Sequence, residues 1–189
     1  MSGIAWGRGL AHDRGMTMLI RPAALPDIEA LSALKLETFR ETFLEGFAIP
    51  YPPDDLAAFE MSSYGPDRIK AELEDGTHAT WVAEADGRLL GYAHVGPCKL
   101  PHPEAEPGAG ELYQLYARRA AQGLGLGRQL LDIALDHLAE ARPGPVWLGV
   151  WSGNLKAQAV YAKRGFRKVG DYRFPVGTWE DEEFIFRRD

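Results

Sequence analysis

Residues 111–141 constrain the fold of this chain more than any other stretch. Glu111-Leu-Tyr-Gln-Leu-Tyr-Ala117 reads as a strand, Gln122-Gly-Leu-Gly-Leu-Gly127 as a tight turn, and Arg128-Gln-Leu-Leu-Asp-Ile-Ala134 as an amphipathic helix. A glycine-rich turn feeding a helix N-terminus aims unpaired backbone N–H groups at one point. The helix dipole adds positive potential there. Absent Cβ atoms let an anion approach the backbone. The turn is therefore read as a phosphate or pyrophosphate cradle, with an ordinary glycine-rich turn as the plain alternative.

Two familiar cradles do not fit. A dinucleotide fingerprint needs a glycine at the sixth position, but counting from Gly123 gives Arg128 and counting from Gly125 gives Leu130. A P-loop needs Lys-Ser/Thr after its last glycine, where this chain has Arg128-Gln129. What is in place is Q-x-x-G-x-G, carried by Gln122, Gly125 and Gly127.

The surrounding chain supplies a mixed α/β pattern. Met18–Arg21 is a short apolar strand, and Pro26-Asp27 opens a helix whose Leu25, Ile28, Leu31 and Leu34 recur at helical spacing, running to about Phe43. Asp54-Asp55 is expected to cap a helix over 56–63, and Gly65-Pro66-Asp67 to start another that ends near Glu74. Thr80–Glu84 and Leu89–Val95 form a hairpin across Asp86-Gly87. Gly96–Gly110 holds four prolines and three glycines, so it is a long loop. After the glycine turn the helix runs from about Leu124 to Ala141. Val146-Trp-Leu-Gly-Val-Trp151 is continuously apolar, as a buried central strand would be. A helix over 155–164 ends at Gly165, and two antiparallel strands near 166–172 and 184–186 close the chain. This predicts one α/β domain over 18–189. Residues 1–17 lack periodicity and read as a disordered extension.

Composition narrows the function. The 189 residues are 46% hydrophobic, enough for a substantial core, and the net charge of -6 lacks the basic balance of a nucleic-acid binder. Cys98 stands alone, so neither a disulfide framework nor a thiolate metal site is expected, and the five histidines show no ligand spacing. No apolar run reaches 18 residues, so no membrane span is expected. The expectation is a cytoplasmic monomer or homodimer with no metal.

The glycine turn resembles the pyrophosphate loop of the GNAT family of N-acetyltransferases. Val146–Trp151, Asn154, Ala159, Tyr161 and Gly165-Phe166 resemble that family's second signature. The run Glu37–Phe43 with Tyr51–Leu56 is similar, more loosely, to PaiA-type bacterial spermidine/spermine N-acetyltransferases. The resemblance implies a mostly antiparallel sheet of six or seven strands, splayed between the fourth and fifth. It implies acetyl-CoA as acyl donor, its pantetheine arm along Leu115, Tyr116 and Ala117. The Leu115 N–H would face the thioester oxygen. Gln122, Gly123, Leu124, Gly125, Leu126, Gly127 and Arg128 would hold the diphosphate, with Asn154 as helix cap, cofactor contact or both.

Transfer needs a neutral amine to attack a thioester, a donor at the oxyanion, and groups that move protons. The resemblance assigns proton donation to the departing thiolate to Tyr161, whose phenol has a pKa near 10, above a thiol's. It assigns a base role, direct or through water, to Glu111, and period-two alternation puts Glu111 and Ala117 on one strand face. The plain alternatives are a packed tyrosine and a solvent-facing glutamate. Arg118, Arg119 and Arg128 are candidates for a cofactor phosphate, or ordinary exposed arginines. Phe39, Phe43 and Tyr51 are expected at the acceptor pocket, where the phenylalanines serve equally as core. Glu37, Glu41 and Glu45 read as a polyamine-receiving stripe or, more simply, a solvated helix face. The acceptor is expected to be a primary amine of a small molecule, polyamines included. A peptide N-terminus and a non-catalytic acyl-CoA sensor are the rival readings.

Overall fold

The computed structural model describes residues 18–189; the extension expected over 1–17 lies outside the described residues. A seven-stranded sheet forms the centre, with β1 at Leu19–Pro22, β2 at Ala79–Ala85, β3 at Arg88–Pro97, β4 at Gly110–Ala117, β5 at Val146–Trp151, β6 at Arg167–Val176 and β7 at Trp179–Arg188. Their spatial order is β1-β2-β3-β4-β5-β7-β6. All neighbours are antiparallel except β4 and β5. Helices α1 (Ile28–Phe39), α2 (Pro53–Tyr64) and α3 (Pro66–Glu74) cover one face, and α4 (Leu126–Ala141) and α5 (Leu155–Ala162) the other.

The β4–β5 pair carries the main consequence for function. It holds together only at Gly110↔Val146 and Glu111↔Trp147. Beyond those residues the strands part, leaving the β4 edge from Leu112 to Ala117 without a neighbour on that side. β5 is buried on both faces. Leu148 and Val150 pack with α4, while Trp147 packs with Leu100 and Ile185 on the opposite face. That double burial is why β5 reads as an unbroken apolar run.

Three sequence expectations need correction. The first long helix is not a uniform α-helix to Phe43. A 3-10 turn at Leu25–Asp27 leads into α1, which widens into a π-helical segment over Arg40–Gly46. Such widening often marks functional sites. Asp54-Asp55 does not cap α2, which starts at Pro53; Asp55 instead accepts hydrogen bonds from Thr178 N (2.9 Å) and Oγ1 (2.5 Å), pinning α2 to the β6–β7 turn. The last two strands are also longer than their apolar residues suggested, because four of the ten residues of β7 are acidic.

Under the α1–α3 layer, Lys35 is buried with its Nζ 2.7 Å from Glu72. His94 is buried beside them and hydrogen-bonded to Thr80 (2.7 Å). Burial, aided by the nearby cations Lys35 and Lys99, holds its imidazole well below its usual pKa, hence neutral.

Candidate active site

The splay opens two cavities that share a wall. One, of about 960 Å3, is lined by the glycine turn, Leu115–Ala117 of β4 and the exposed side of α5. The other, of about 500 Å3, lies under α1–α3 against β4, β5 and β7. Leu115, Tyr116, Asn154, Ala157 and Tyr161 line both.

The first cavity is shaped for a long anionic ligand. Gly123 and Gly125 take φ of +84° and +78°, which glycine alone adopts without strain. The first helical bond of α4 runs from Gln129 N to Gly125 O (3.2 Å), so the N–H groups of Leu126, Gly127 and Arg128 precede any helical partner. A Cβ placed on Gly123, Gly125 or Gly127 would meet nothing within 4 Å, so the space over the turn is open. Gln122 reaches back to Ala117 O (3.3 Å) and accepts from Lys156 Nζ (3.1 Å), tying the turn to β4 and α5. Asn154 caps α5 by accepting from Ala157 N (3.0 Å) through Oδ1, leaving its amide N–H2 for a ligand. Arg128 is exposed on the rim. The free β4 edge supplies the backbone groups that an extended arm needs. Coenzyme A fits this donor set: a diphosphate at the turn and an amide-bearing arm along β4.

Arg118 and Arg119 both pair with acids of the first long helix, and Arg119 also lines the first cavity. Arg118 is buried, donating to Leu89 O (2.8 Å) and pairing with Glu37. Arg119 binds Glu41 through its backbone N–H and its guanidinium, both at 2.8 Å, and Glu45 at 3.1 Å. The Glu37–Glu41–Glu45 stripe is therefore more than a solvated helix face. It clasps the π-helical segment to the end of β4.

The second cavity has aromatic walls and an acidic floor. Phe39, Phe43 and Tyr51 line it and also belong to one packed cluster with Tyr64 and Val176, so they are core and pocket wall together. Glu111 opens onto it but does not share a face with Ala117. A bulge at Tyr113 breaks the β3–β4 register, where His94 opposes Gln114 and Val95 opposes Leu112. The extra residue shifts the alternation by one. Glu111 thus faces the second cavity, while Leu112, Leu115 and Ala117 pack toward α4. Burial raises the Glu111 carboxyl to about 6, opposed by a hydrogen bond from Lys99 N (2.6 Å).

Sequence reasoning missed two further carboxylates here. Asp181 accepts from Tyr51 Oη (2.5 Å) and Trp179 Nε1 (2.9 Å), and Glu183 accepts from Tyr172 Oη (2.5 Å). Burial raises Glu183 to about 7, the Tyr172 hydroxyl opposing it. The available signal was the spacing of Asp181, Glu183 and Ile185, which period-two alternation puts on one face of β7. Tyr161 sits at the shared wall, its phenol pushed up to about 12 by burial alone, so it stays protonated at neutral pH.

A raised carboxyl pKa makes ionisation unfavourable to folding. For Glu183 the penalty is absent below the unfolded pKa, near 4.5, and grows until pH passes about 7. Glu183→Gln should therefore raise the melting temperature by a few degrees at pH 8 and barely change it at pH 4.5. An equal shift at both pH values would show that the carboxylate bears no such penalty.

Among the described residues, no group of three or more His, Cys, Asp or Glu is placed to hold a metal ion, and no helix is long and apolar enough to cross a membrane. Among known proteins, an N-acetyltransferase from the pepI 3' region of Lactobacillus delbrueckii subsp. lactis is 28% identical over 164 residues, covering 87% of this chain and 91% of that one. The PaiA N-acetyltransferase of Thermoplasma acidophilum, solved in complex with coenzyme A, superposes with a TM-score of 0.70 at 19% identity, covering 92% of this chain and 99% of its own. The ribosomal-protein-alanine N-acetyltransferase of Brucella melitensis gives 0.64 at 24% identity, covering 90% and 98%. Residues 36–166 match the model of the acetyltransferase (GNAT) family. The chain belongs to that family: it is an N-acetyltransferase that takes its acyl group from acetyl-CoA.

Proposed function

We infer that residues 18–189 act as one domain, transferring the acetyl group to a primary amine of a small molecule within a ternary complex. The observation that carries this reading is the shared wall, where a cofactor-shaped cavity meets an aromatic, acidic cavity at Leu115, Tyr116, Asn154, Ala157 and Tyr161. Gln122–Arg128 hold the diphosphate, Leu115–Ala117 take the pantetheine arm, and the Leu115 N–H faces the thioester oxygen. Tyr161 donates its proton to the departing thiolate. Glu111 accepts protons through water from its buried place on the acceptor side. Phe39, Phe43 and Tyr51 wall the acceptor. A pocket of aromatic rings and carboxylates suits an alkylammonium, so polyamines are the acceptors to expect first. We place the enzyme in the cytoplasm as a monomer or homodimer with no nucleic-acid partner.

The test is thiol release from acetyl-CoA across polyamines, amino acids, aminoglycosides and peptides. Turnover concentrated on small amines supports the reading. Preference for peptide N-termini moves the acceptor class, and no turnover with any of them, despite acetyl-CoA binding, favours a non-catalytic sensor.

A further inference from the structure

Glu111 lies low in the splay. It opposes Trp147, in the last pair that β4 and β5 form before they separate. The cavities meet further along, beside Trp151 and Asn154. A carboxylate closer to Trp151 on the sheet stands nearer that junction.

Glu183 does. It opposes Trp151 on β5, and its side chain reaches over Gly149. A Cβ on Gly149 would stand 2.7 Å from Tyr172 Oη and 2.8 Å from Glu183 Oε2. The missing side chain is therefore what lets the Tyr172–Glu183 pair lie across β5 on the cavity floor. Gly149 is two residues beyond Trp147 toward the junction, about 7 Å at ~3.3 Å per residue. The pair is fixed, since the Tyr172 hydroxyl donates to the carboxylate at 2.5 Å. Gln114 of β4 also lines the cavity, and its amide oxygen is buried without a partner.

We propose that Glu183, held by Tyr172 over Gly149, is a catalytic residue that receives the acceptor ammonium at the junction and takes its proton. This rests on the acetyl-transfer reading above. The proton moves from R–NH3+ to the Glu183 carboxylate, giving R–NH2 and a carboxylic acid. The amine lone pair then forms the C–N bond as the thioester C–S bond breaks. The second nitrogen proton replaces the one that Tyr161 gives the thiolate, and Glu183 returns its own to water. Glu111, lower on the wall, serves the outward relay. The charged or titratable groups acting on Glu183 are Tyr172 from β6, Asp181 on its own strand, Glu111 and Tyr116 from β4, Tyr51 from the loop before α2, and Tyr64 from α2.

The test compares Glu183→Gln, Glu111→Gln, Tyr172→Phe and Gly149→Ala by steady-state thiol release with spermidine, or with the fastest acceptor of the panel above, from pH 6 to 9.5. Glu183→Gln should lower kcat/KM by about 10²-fold at pH 7. The loss should shrink as pH nears the amine's own pKa, because the free amine then needs no base. Tyr172→Phe removes a donor that favours the carboxylate form, so the acidic limb of its profile should move to higher pH. Gly149→Ala should reproduce the neutral-pH loss by displacing the pair without changing a charge. Acetyl-CoA should still raise every variant's melting temperature, which confirms folding and a working cofactor cavity. Wild-type rates in Glu183→Gln across the range, or a loss by one constant factor at every pH, would overturn the proposal. So would a pH-rescued loss in Glu111→Gln alone. A wild-type enzyme that turns over no amine would instead sink the acetyl-transfer reading.

Discussion

Acetyl-CoA is expected to raise the melting temperature of the wild-type protein and to leave Gly127→Val unmoved. At about 100 times its dissociation constant, a ligand bound only by the folded state stabilises by roughly 2.7 kcal/mol. For a chain of this size that is roughly 5–10 °C. Gly127 is the informative position in the turn because its backbone is not left-handed, and an added Cβ meets nothing within 4 Å. A valine there fits the free protein but stands where we place the diphosphate. Gly125 is less clean, since its φ of +78° strains any other residue regardless of ligand. The check is thermal unfolding with and without ligand. A variant that keeps the wild-type shift would place the diphosphate elsewhere, and a wild type with no shift at millimolar acetyl-CoA would refute the cavity assignment.

Tyr161→Phe should lower kcat by about 10²-fold while the acetyl-CoA shift stays intact. The substitution removes one hydroxyl from a ring packed edge-on against Phe166, so shape and packing persist. Burial keeps the phenol protonated far above neutral pH, so the proton is present when the thiolate leaves. Water substitutes for it in part, which puts the loss at the low end for a missing general acid. The measurement is kcat at saturating substrates beside the melting temperature. An unchanged kcat would reduce Tyr161 to a packing residue. A lowered kcat with a fallen melting temperature in the free protein would indicate structural damage.

The sequence carried the fold where one physical signal dominated. Asp86-Gly87 takes two positive φ values and makes the hairpin it promises. Val146–Trp151 is a strand with the expected bounds because burial on both faces demands continuous apolarity. Gln122, Gly125 and Gly127 announced the open cavity over the turn because left-handed turns and open backbone require glycine. Legibility failed where contacts are distant in sequence. Nothing local in Glu41 or Glu45 points to Arg119, and nothing in Asp55 points to Thr178. One bulge at Tyr113 undid a correct alternation rule and moved Glu111 to the second cavity. Glu183 stayed hidden because a run of acidic residues before an apolar triplet reads as a solvated turn, until β5 brings Gly149 beneath it.

The two-residue seam between β4 and β5 also bears on how the protein comes apart. The sheet is two ladders, β1 to β4 and β5 to β7, joined by Gly110↔Val146 and Glu111↔Trp147 and bridged by packing with α4. So short a hydrogen-bonded joint leaves the halves held mainly by side-chain packing, under α4 and in the Phe39–Tyr51–Val176 cluster, and cooperative units of stability tend to follow such divisions. Native-state hydrogen exchange on the free protein should resolve two opening units, with amides of β6 and β7 exchanging at a different free energy from those of β2 and β3. A ligand wedged along β4 and against α5 touches both halves, so it should merge the two units into one. Acetyl-CoA would then act as the missing mortar of the sheet, and the binding energy it spends there would make the protein a single cooperative body only while it is loaded.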